Sequence, residues 1–327
     1  MSKLYEEILQ GETRAISKAI TLIESHLKKD RQKALQLLDK LKVGNEQKSI
    51  RIGISGIPGV GKSTFLERLG SYILEMNPTI KIALLTIDPS SPLQGGSILA
   101  DRLRMTCLSK NPRVFIRPSP NSGMHGGLAR RTRESILLLE ACQYEIIFVE
   151  TVGVGQSEYN VASLVDIFML LQMPSTGDEW QAIKKGILEL ADIVIINKAD
   201  GKLKESANLL KKMLENSLTA HSEKEKPSLL TCSSLEGTGI DEIWNELNRR
   251  IDQLKKTKLF LTTRNKQDIF WFEEELQSLF KFEIDNNSKI KKLLSTHKKK
   301  IEKNKGSLFS LEAEKAINSL VHPKFRK

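Results

Sequence analysis

The first 45 residues place apolar side chains at helical spacing: Leu4, Ile8 and Leu9, then Ile16, Ile20, Ile23 and Leu27, then Leu35, Leu37, Leu38 and Leu41. Recurrence every three or four residues marks helices that bury one face. Val43-Gly44-Asn45 ends that pattern as a linker, and from Ser49 the period changes. Short continuous apolar runs now alternate with helical stretches: Ile50–Ser55, Ile80–Ile87, Val114–Arg117, Glu145–Glu150, Leu164–Leu171, Asp192–Asn197 and Leu229–Cys232. Apolar runs without polar alternation are strands covered on both faces. Their alternation with helices predicts an α/β fold, a mostly parallel sheet flanked by helices. After about Lys255 the pattern is helical again, with an apolar stripe of Ile269, Phe270, Phe272, Leu276, Leu279 and Phe280. The expected organisation is a helical segment over 1–45, an α/β domain over 46–253 and a C-terminal helical extension over 254–327. That extension reads either as a dimerisation arm or as a layer packed on its own domain.

Composition changes this picture little. The three cysteines, Cys107, Cys142 and Cys232, have neither disulfide nor metal spacing, and the five histidines form no ligand pattern. No long uncharged apolar run and no secretory leader stand out, so the expectation is a cytoplasmic protein without membrane insertion. The net charge of +11 is concentrated in the tail, where residues 251–327 hold 18 Lys and Arg against 10 Asp and Glu. A solvated helical face accounts for it, and with no recognisable nucleic-acid module the expectation is no nucleic-acid partner.

Chemistry enters at Gly56-Ile57-Pro58-Gly59-Val60-Gly61-Lys62-Ser63-Thr64, which matches the Walker A pattern completely and lies between a strand and a helix. The glycines let successive N–H groups turn towards phosphate oxygens, and the following helix points its positive end at them. In such a loop Lys62 reaches the β- and γ-phosphates and the Ser63 hydroxyl coordinates Mg²⁺.

Asn197-Lys198-Ala199-Asp200 ends a strand downstream of that loop. A carboxylate at Asp200 accepts from guanine N1–H and the exocyclic amine. Adenine offers neither donor and would leave the desolvated carboxylate unpaired, which discriminates by roughly 10⁴-fold. Lys198 can lay its stem along the base while Asn197 ties down the loop. Ser233-Ser234-Leu235 follows the last strand, where a backbone N–H can contact guanine O6. These features favour GTP over ATP.

Three strand-end acids compete for the metal and the water: Asp88 in Asp88-Pro-Ser-Ser91, Asp101 after Gly95-Gly96, and Glu150 in Glu150-Thr-Val-Gly153-Val-Gly155. Carboxylates at the carboxyl ends of parallel strands converge on the ligand crevice, and Mg²⁺ takes one or two of them. Gly153 can donate its N–H to the γ-phosphate. His125 has no identifiable partner in sequence and reads as incidental.

With these residues assembled, the chain resembles the bacterial and mitochondrial GTPases that chaperone adenosylcobalamin-dependent methylmalonyl-CoA mutase, once labelled arginine/ornithine transport kinases. The resemblance rests on the P-loop through Thr64, on Asp88-Pro-Ser-Ser-Pro92, and on Gly95-Gly-Ser-Ile-Leu-Ala-Asp101-Arg-Leu-Arg-Met105. It continues through Arg117-Pro-Ser-Pro120, Glu150-Thr-Val-Gly-Val-Gly-Gln-Ser-Glu158 and Gly177-Asp-Glu-Trp-Gln-Ala-Ile-Lys-Lys-Gly186. It implies that Ser63 and one or both of Asp88 and Asp101 attend Mg²⁺. Lys62, Glu150 and Gly153 are then the catalytic group, with Glu150 in the Walker B position and Gly153 in the second switch. It implies a third switch at Pro174–Gly186, with Asp178, Glu179, Lys184 and Lys185 as its messengers. It also implies a homodimer through C-terminal helices and a partner in methylmalonyl-CoA mutase or a related acyl-CoA mutase. The competing readings are a kinase that phosphorylates a periplasmic amino-acid transport component and a metal-insertion GTPase. The first needs an acceptor site and usually ATP; the second needs Cys or His ligands near its switches.

Overall fold

Seven strands form one wholly parallel sheet in the order β3-β2-β4-β1-β5-β6-β7. They are β1 (Ile50–Gly56), β2 (Ile82–Asp88), β3 (Val114–Pro120), β4 (Ile146–Thr151), β5 (Ile167–Gln172), β6 (Ile193–Ile196) and β7 (Ser228–Thr231). The computed structural model describes residues 2–25, 27–42, 49–88, 105–120, 127–151, 157–174, 185–217, 225–257, 259–303 and 309–321. The helices, in chain order, are α1 (Ser2–Leu9), α2 (Thr13–Glu24), α3 (Lys28–Lys42), α4 (Lys62–Met76), α5 (Gly127–Ala141), α6 (Ser157–Ala162) and α7 (Lys185–Leu190). They continue with α8 (Lys204–Ser217), α9 (Ile240–Lys256), α10 (Leu259–Asn286), α11 (Ser288–Lys303) and α12 (Phe309–Val321). The chain divides into two compact units, Met1–Gln267 and Asp268–Lys327.

All seven apolar runs become strands. β1, β4, β5 and β6 are buried along their whole length, as expected of a sheet covered on both faces. Two strands start later than their apolar runs. Ile80 N–H donates to Asn77 O and Leu164 N–H to Val161 O, so both apolar residues close turns and the ladders begin at Ile82 and Ile167. Central β1 carries Gly53, where a Cβ would come within 2.9 Å of both Phe168 Cδ2 and Val161 Cγ1. Glycine there lets α6 approach the sheet closely. On α4, Phe65, Leu66, Leu69 and Ile73 enter the core alongside Ile52, Ile54 and Phe148. That helix ends at Asn77, whose N–H caps Ile73 O, with Pro78 blocking continuation.

The N-terminal helices bury Ile8, Ile16, Ile20, Ile23 and Leu37 almost completely. They pack on α5 and β3, and ion pairs from Arg31 to Glu134 and from Arg117 to Glu24 fix the seam. Leu9, Leu27 and Leu35 share the helical spacing yet remain exposed. In the second unit, α11 and α12 pack together, with His297 Nδ1 and Glu312 Oε2 2.8 Å apart. Ile269, Phe270, Phe272, Leu276, Leu279 and Phe280 on α10 are exposed. No helix among the described residues is long and apolar enough to cross a membrane.

Candidate functional site

Every described motif gathers at the carboxyl edge of the sheet. β1 delivers Gly56 and the loop after it, β4 delivers Glu150, β6 delivers Asn197 and β7 delivers Cys232–Ser234. Because β1 is central, its loop lies between the ends of β4 and β5, where open parallel sheets form their ligand crevice.

The loop 57–61 is built by backbone geometry. Gly59 and Gly61 hold φ of 79° and 96°, values that L side chains rarely adopt. A Cβ at Gly61 would lie 2.7 Å from Asn197 Nδ2. α4 begins immediately afterwards, with Phe65 N–H donating to Gly61 O at 2.8 Å. Lys62 is 8% exposed and its Nζ donates to Gly56 O at 2.7 Å and Ile57 O at 3.2 Å. The ammonium therefore folds over the loop whose N–H groups it accompanies. Ile57, Pro58 and Gly59 are exposed, whereas Val60 is fully buried. Thr64 is exposed at the start of α4.

Ser63 Oγ and Glu150 Oε1 stand 3.4 Å apart, and Glu150 is 7% exposed. A hydroxyl beside a buried carboxylate is the donor chemistry that a small, hard cation takes. The residues present fit Mg²⁺. Asp88 is the last residue of β2; its side chain, and all of Asp101, Gly153 and His125, lie outside the described residues, as do Asp178, Glu179, Lys184 and the side chain of Lys185.

Asn197 organises the opposite side. It is 1% exposed; Nδ2 donates to Val60 O at 2.9 Å, and Oδ1 accepts from Ser234 N–H at 3.0 Å and Ser234 Oγ at 2.8 Å. One side chain thus joins the phosphate loop to the loop after β7. Lys198 follows with φ of 59°, a left-handed conformation unusual for a non-glycine residue and characteristic of functional turns. Asp200 is half-buried and accepts a hydrogen bond from Ser233 Oγ on one carboxylate oxygen. Ser233 and Ser234 are buried and Leu235 is exposed.

The family model for "Methylmalonyl Co-A mutase-associated GTPase MeaB" matches residues 16–288. The chain belongs to the MeaB family. A probable GTPase of Mycobacterium tuberculosis, Rv1496, is 41% identical over 294 residues, covering 89% of this chain and 87% of that protein. The mitochondrial methylmalonic aciduria type A homolog of Mus musculus is 39% identical over 289 residues, covering 85% of this chain and 69% of that protein. Among solved structures, one described as an LAO/AO transport system kinase superposes with a TM-score of 0.77 at 30% identity, covering 98% of this chain and 97% of that one. The protein is a MeaB-family P-loop GTPase with a seven-stranded parallel sheet and helices added at both ends.

Two residues of this MeaB-family site carry no motif signal. Cys232, 2% exposed, donates from Sγ to Asn197 Oδ1 at 3.5 Å. Burial pushes its thiol up to about 12, so it stays a neutral donor. Its position immediately before Ser233 was the available hint. Arg68, on α4, donates Nε to Ser234 O at 3.3 Å and Nη2 to Leu235 O at 2.9 Å. Nothing local in the sequence announces a partner 166 residues away.

Proposed function

We propose that this MeaB-family GTPase is Mg²⁺-dependent and chaperones adenosylcobalamin-dependent methylmalonyl-CoA mutase or a related acyl-CoA mutase. GTP binding and hydrolysis would gate cofactor loading and protection of that partner. The match to the mutase-associated family over residues 16–288 carries this reading. The names of relatives such as the methylmalonic aciduria type A homolog support it.

In this proposal Gly56 to Thr64 hold the phosphates and Lys62 neutralises charge on the β- and γ-phosphoryl groups. Ser63 ligates Mg²⁺, with Asp88 or Asp101 or both nearby. Glu150, within reach of Ser63, attends the metal or its water, and Gly153 senses the γ-phosphate. Asn197, Lys198, Asp200, Ser233, Ser234 and Leu235 select guanine. Bound Mg²⁺ supplies charge neutralisation across the phosphates. A kinase acting on a transport component would need a phosphate acceptor other than water, and a carboxylate directed at guanine argues for GTP chemistry instead.

The segment 254–327 belongs to the same proposal as a dimerisation arm, the expected location being the cytoplasm. Support comes from the row of exposed Ile269, Phe272, Leu276, Leu279 and Phe280 on one helix, since large apolar side chains gathered at a surface mark contact sites.

The test is GTP turnover with and without the adenosylcobalamin-dependent acyl-CoA mutase encoded in the same organism. A rate increase matched by co-elution on a sizing column supports the chaperone reading. No increase and no complex rejects it. The same column reads the arm: Phe272→Glu with Phe280→Glu should convert a dimer to monomers, and an unchanged elution volume would remove the dimer from the proposal.

A further inference from the structure

The loop after β7 is held from two sides. On one, Asn197 Oδ1 accepts from Ser234 N–H and Oγ. On the other, the Arg68 guanidinium spans two consecutive carbonyls, Ser234 O and Leu235 O, at 3.3 and 2.9 Å. The loop's turn at Gly237, with φ of 85°, lies against the same side chain, where a Cβ would stand 3.6 Å from Arg68 Cδ and Nε.

Peptide geometry gives this grip a consequence. In a trans peptide the N–H points opposite the C=O. Fixing Ser234 O towards Arg68 therefore fixes Leu235 N–H on the far side of the same plane. The neighbouring donor, Glu236 N–H, is already taken by Ser233 Oγ at 3.1 Å. Leu235 N–H has no acceptor among the described residues, and the residue is 74% exposed. One oriented, unused donor is thus presented beside Asn197 and Asp200.

We propose that Arg68 is a positioning residue for base selection. Holding the Ser234 and Leu235 carbonyls aims Leu235 N–H at the 6-oxo group of guanine, which adenine replaces with an amine. This rests on the reading of Asp200 as guanine-directed. An arginine suits the task because its planar fork bonds two carbonyls at once, which a lysine ammonium does less well. Arg68 also lies six residues beyond Lys62 on one helix, so phosphate cradle and base loop are registered by a single rigid element about 9 Å apart along its axis.

The test compares dissociation constants of GTP, ITP and ATP, measured by competition against a fluorescent GDP, for wild type, Arg68→Ala and Arg68→Lys. GTP and ITP share the 6-oxo group and differ in the 2-amino group assigned to Asp200; ATP lacks both. Arg68→Ala should weaken GTP and ITP together by roughly fivefold to tenfold, about one hydrogen bond's worth. The GTP-to-ITP ratio should stay at its wild-type value while preference over ATP narrows by the same factor. Arg68→Lys should fall between. An unchanged GTP-to-ATP preference overturns the proposal. So does a parallel loss for all three nucleotides, or a collapsed GTP-to-ITP ratio, since either reports general loosening of the loop. Failure of the underlying reading shows separately, as an Asp200→Asn protein whose preference for GTP over xanthosine triphosphate does not move.

Discussion

Arg264 and Asp166 form a two-pronged ion pair, Nε to Oδ1 at 2.9 Å and Nη2 to Oδ2 at 2.6 Å, with both side chains at most 3% exposed. The pair does not stand alone. Asp166 Oδ2 also accepts the N–H of Arg51, the second residue of β1, while Arg51 and Arg264 share Glu140. Arg264 Nη2 reaches Ser49 O at 2.7 Å and its guanidinium lies 3.9 Å over the Phe260 ring. The opening turns of α10 are thereby bonded to the strand that leads into the phosphate loop. Replacing Asp166 by Ala removes the two-pronged partner of a buried cation and leaves Arg264 the longer contact to Glu140, a change expected to destabilise by about 3 kcal/mol. Urea unfolding followed by circular dichroism should register it, and a midpoint within error of wild type would show that the network carries little energy.

Glu246 anchors β7, the last strand in the sheet order. Its carboxylate accepts from Arg249, Arg250 and Ser228, the first residue of β7. These bonds, that from Arg249 foremost, hold its carboxyl down at about 2 against an ordinary value of 4.5. A carboxyl whose folded value is depressed stabilises the fold above its unfolded value and loses that contribution as pH falls through the folded one. Thermal midpoints of wild type should therefore drop between pH 4.5 and 2 more steeply than those of Glu246→Gln. Parallel curves would remove Glu246 from acid sensitivity.

How much of this was legible beforehand depended on the range of the interactions. All seven strands could be read because a sheet buried on both faces needs unbroken apolar runs, but those runs report burial and not ladder pairing. Hence Ile80 and Leu164, both apolar, turned out to close turns. Helical spacing likewise located α1 to α3 without telling that Leu9, Leu27 and Leu35 would face solvent. In the site, residues drawn together by contiguous motifs were visible. Arg68 and Cys232 were not, because their bonds to Leu235 and Asn197 join residues 167 and 35 positions apart.

Cys232 offers a chemical readout of the base loop. Thiolates, not thiols, react with disulfide reagents. Burial pushes both Cys142 and Cys232 up to about 12, whereas Cys107 is exposed. Ellman's reagent at pH 8 should titrate one thiol per native chain, Cys107, and three in denaturant. A second fast thiol that disappears on Cys232→Ser would mean that the loop opens around Asn197 in solution.

Gly61→Ala tests the joint between the two loops. The new Cβ meets Asn197 Nδ2 at 2.7 Å and must sit at a φ of 96°. Left-handed backbone costs about 1–2 kcal/mol for an L residue, and displacing Asn197 strands Val60 O and Ser234 N–H. Nucleotide affinity should fall by roughly fivefold to tenfold, the loss of about one such bond, and Asn197→Ala should reproduce the fall without the backbone strain. If Gly61→Ala weakens binding and Asn197→Ala does not, the backbone of the loop and not its tie to Asn197 is the controlling element.

Lys198 separates stability from binding in a single position. Its φ of 59° is strained for lysine and relaxed for glycine, so Lys198→Gly should remove about 1 kcal/mol of backbone strain, partly offset by the greater freedom of glycine in the unfolded chain. The unliganded protein should melt at the same temperature or slightly higher. In the proposed site, however, the lysine stem covers the face of the base, and its removal should weaken GTP severalfold. A variant that is both less stable and unaltered in GTP affinity would indicate that Lys198 is held in this conformation for packing, and that the base lies elsewhere. The opposite signs expected for the two measurements make the position informative, because a simple folding defect moves both in the same direction.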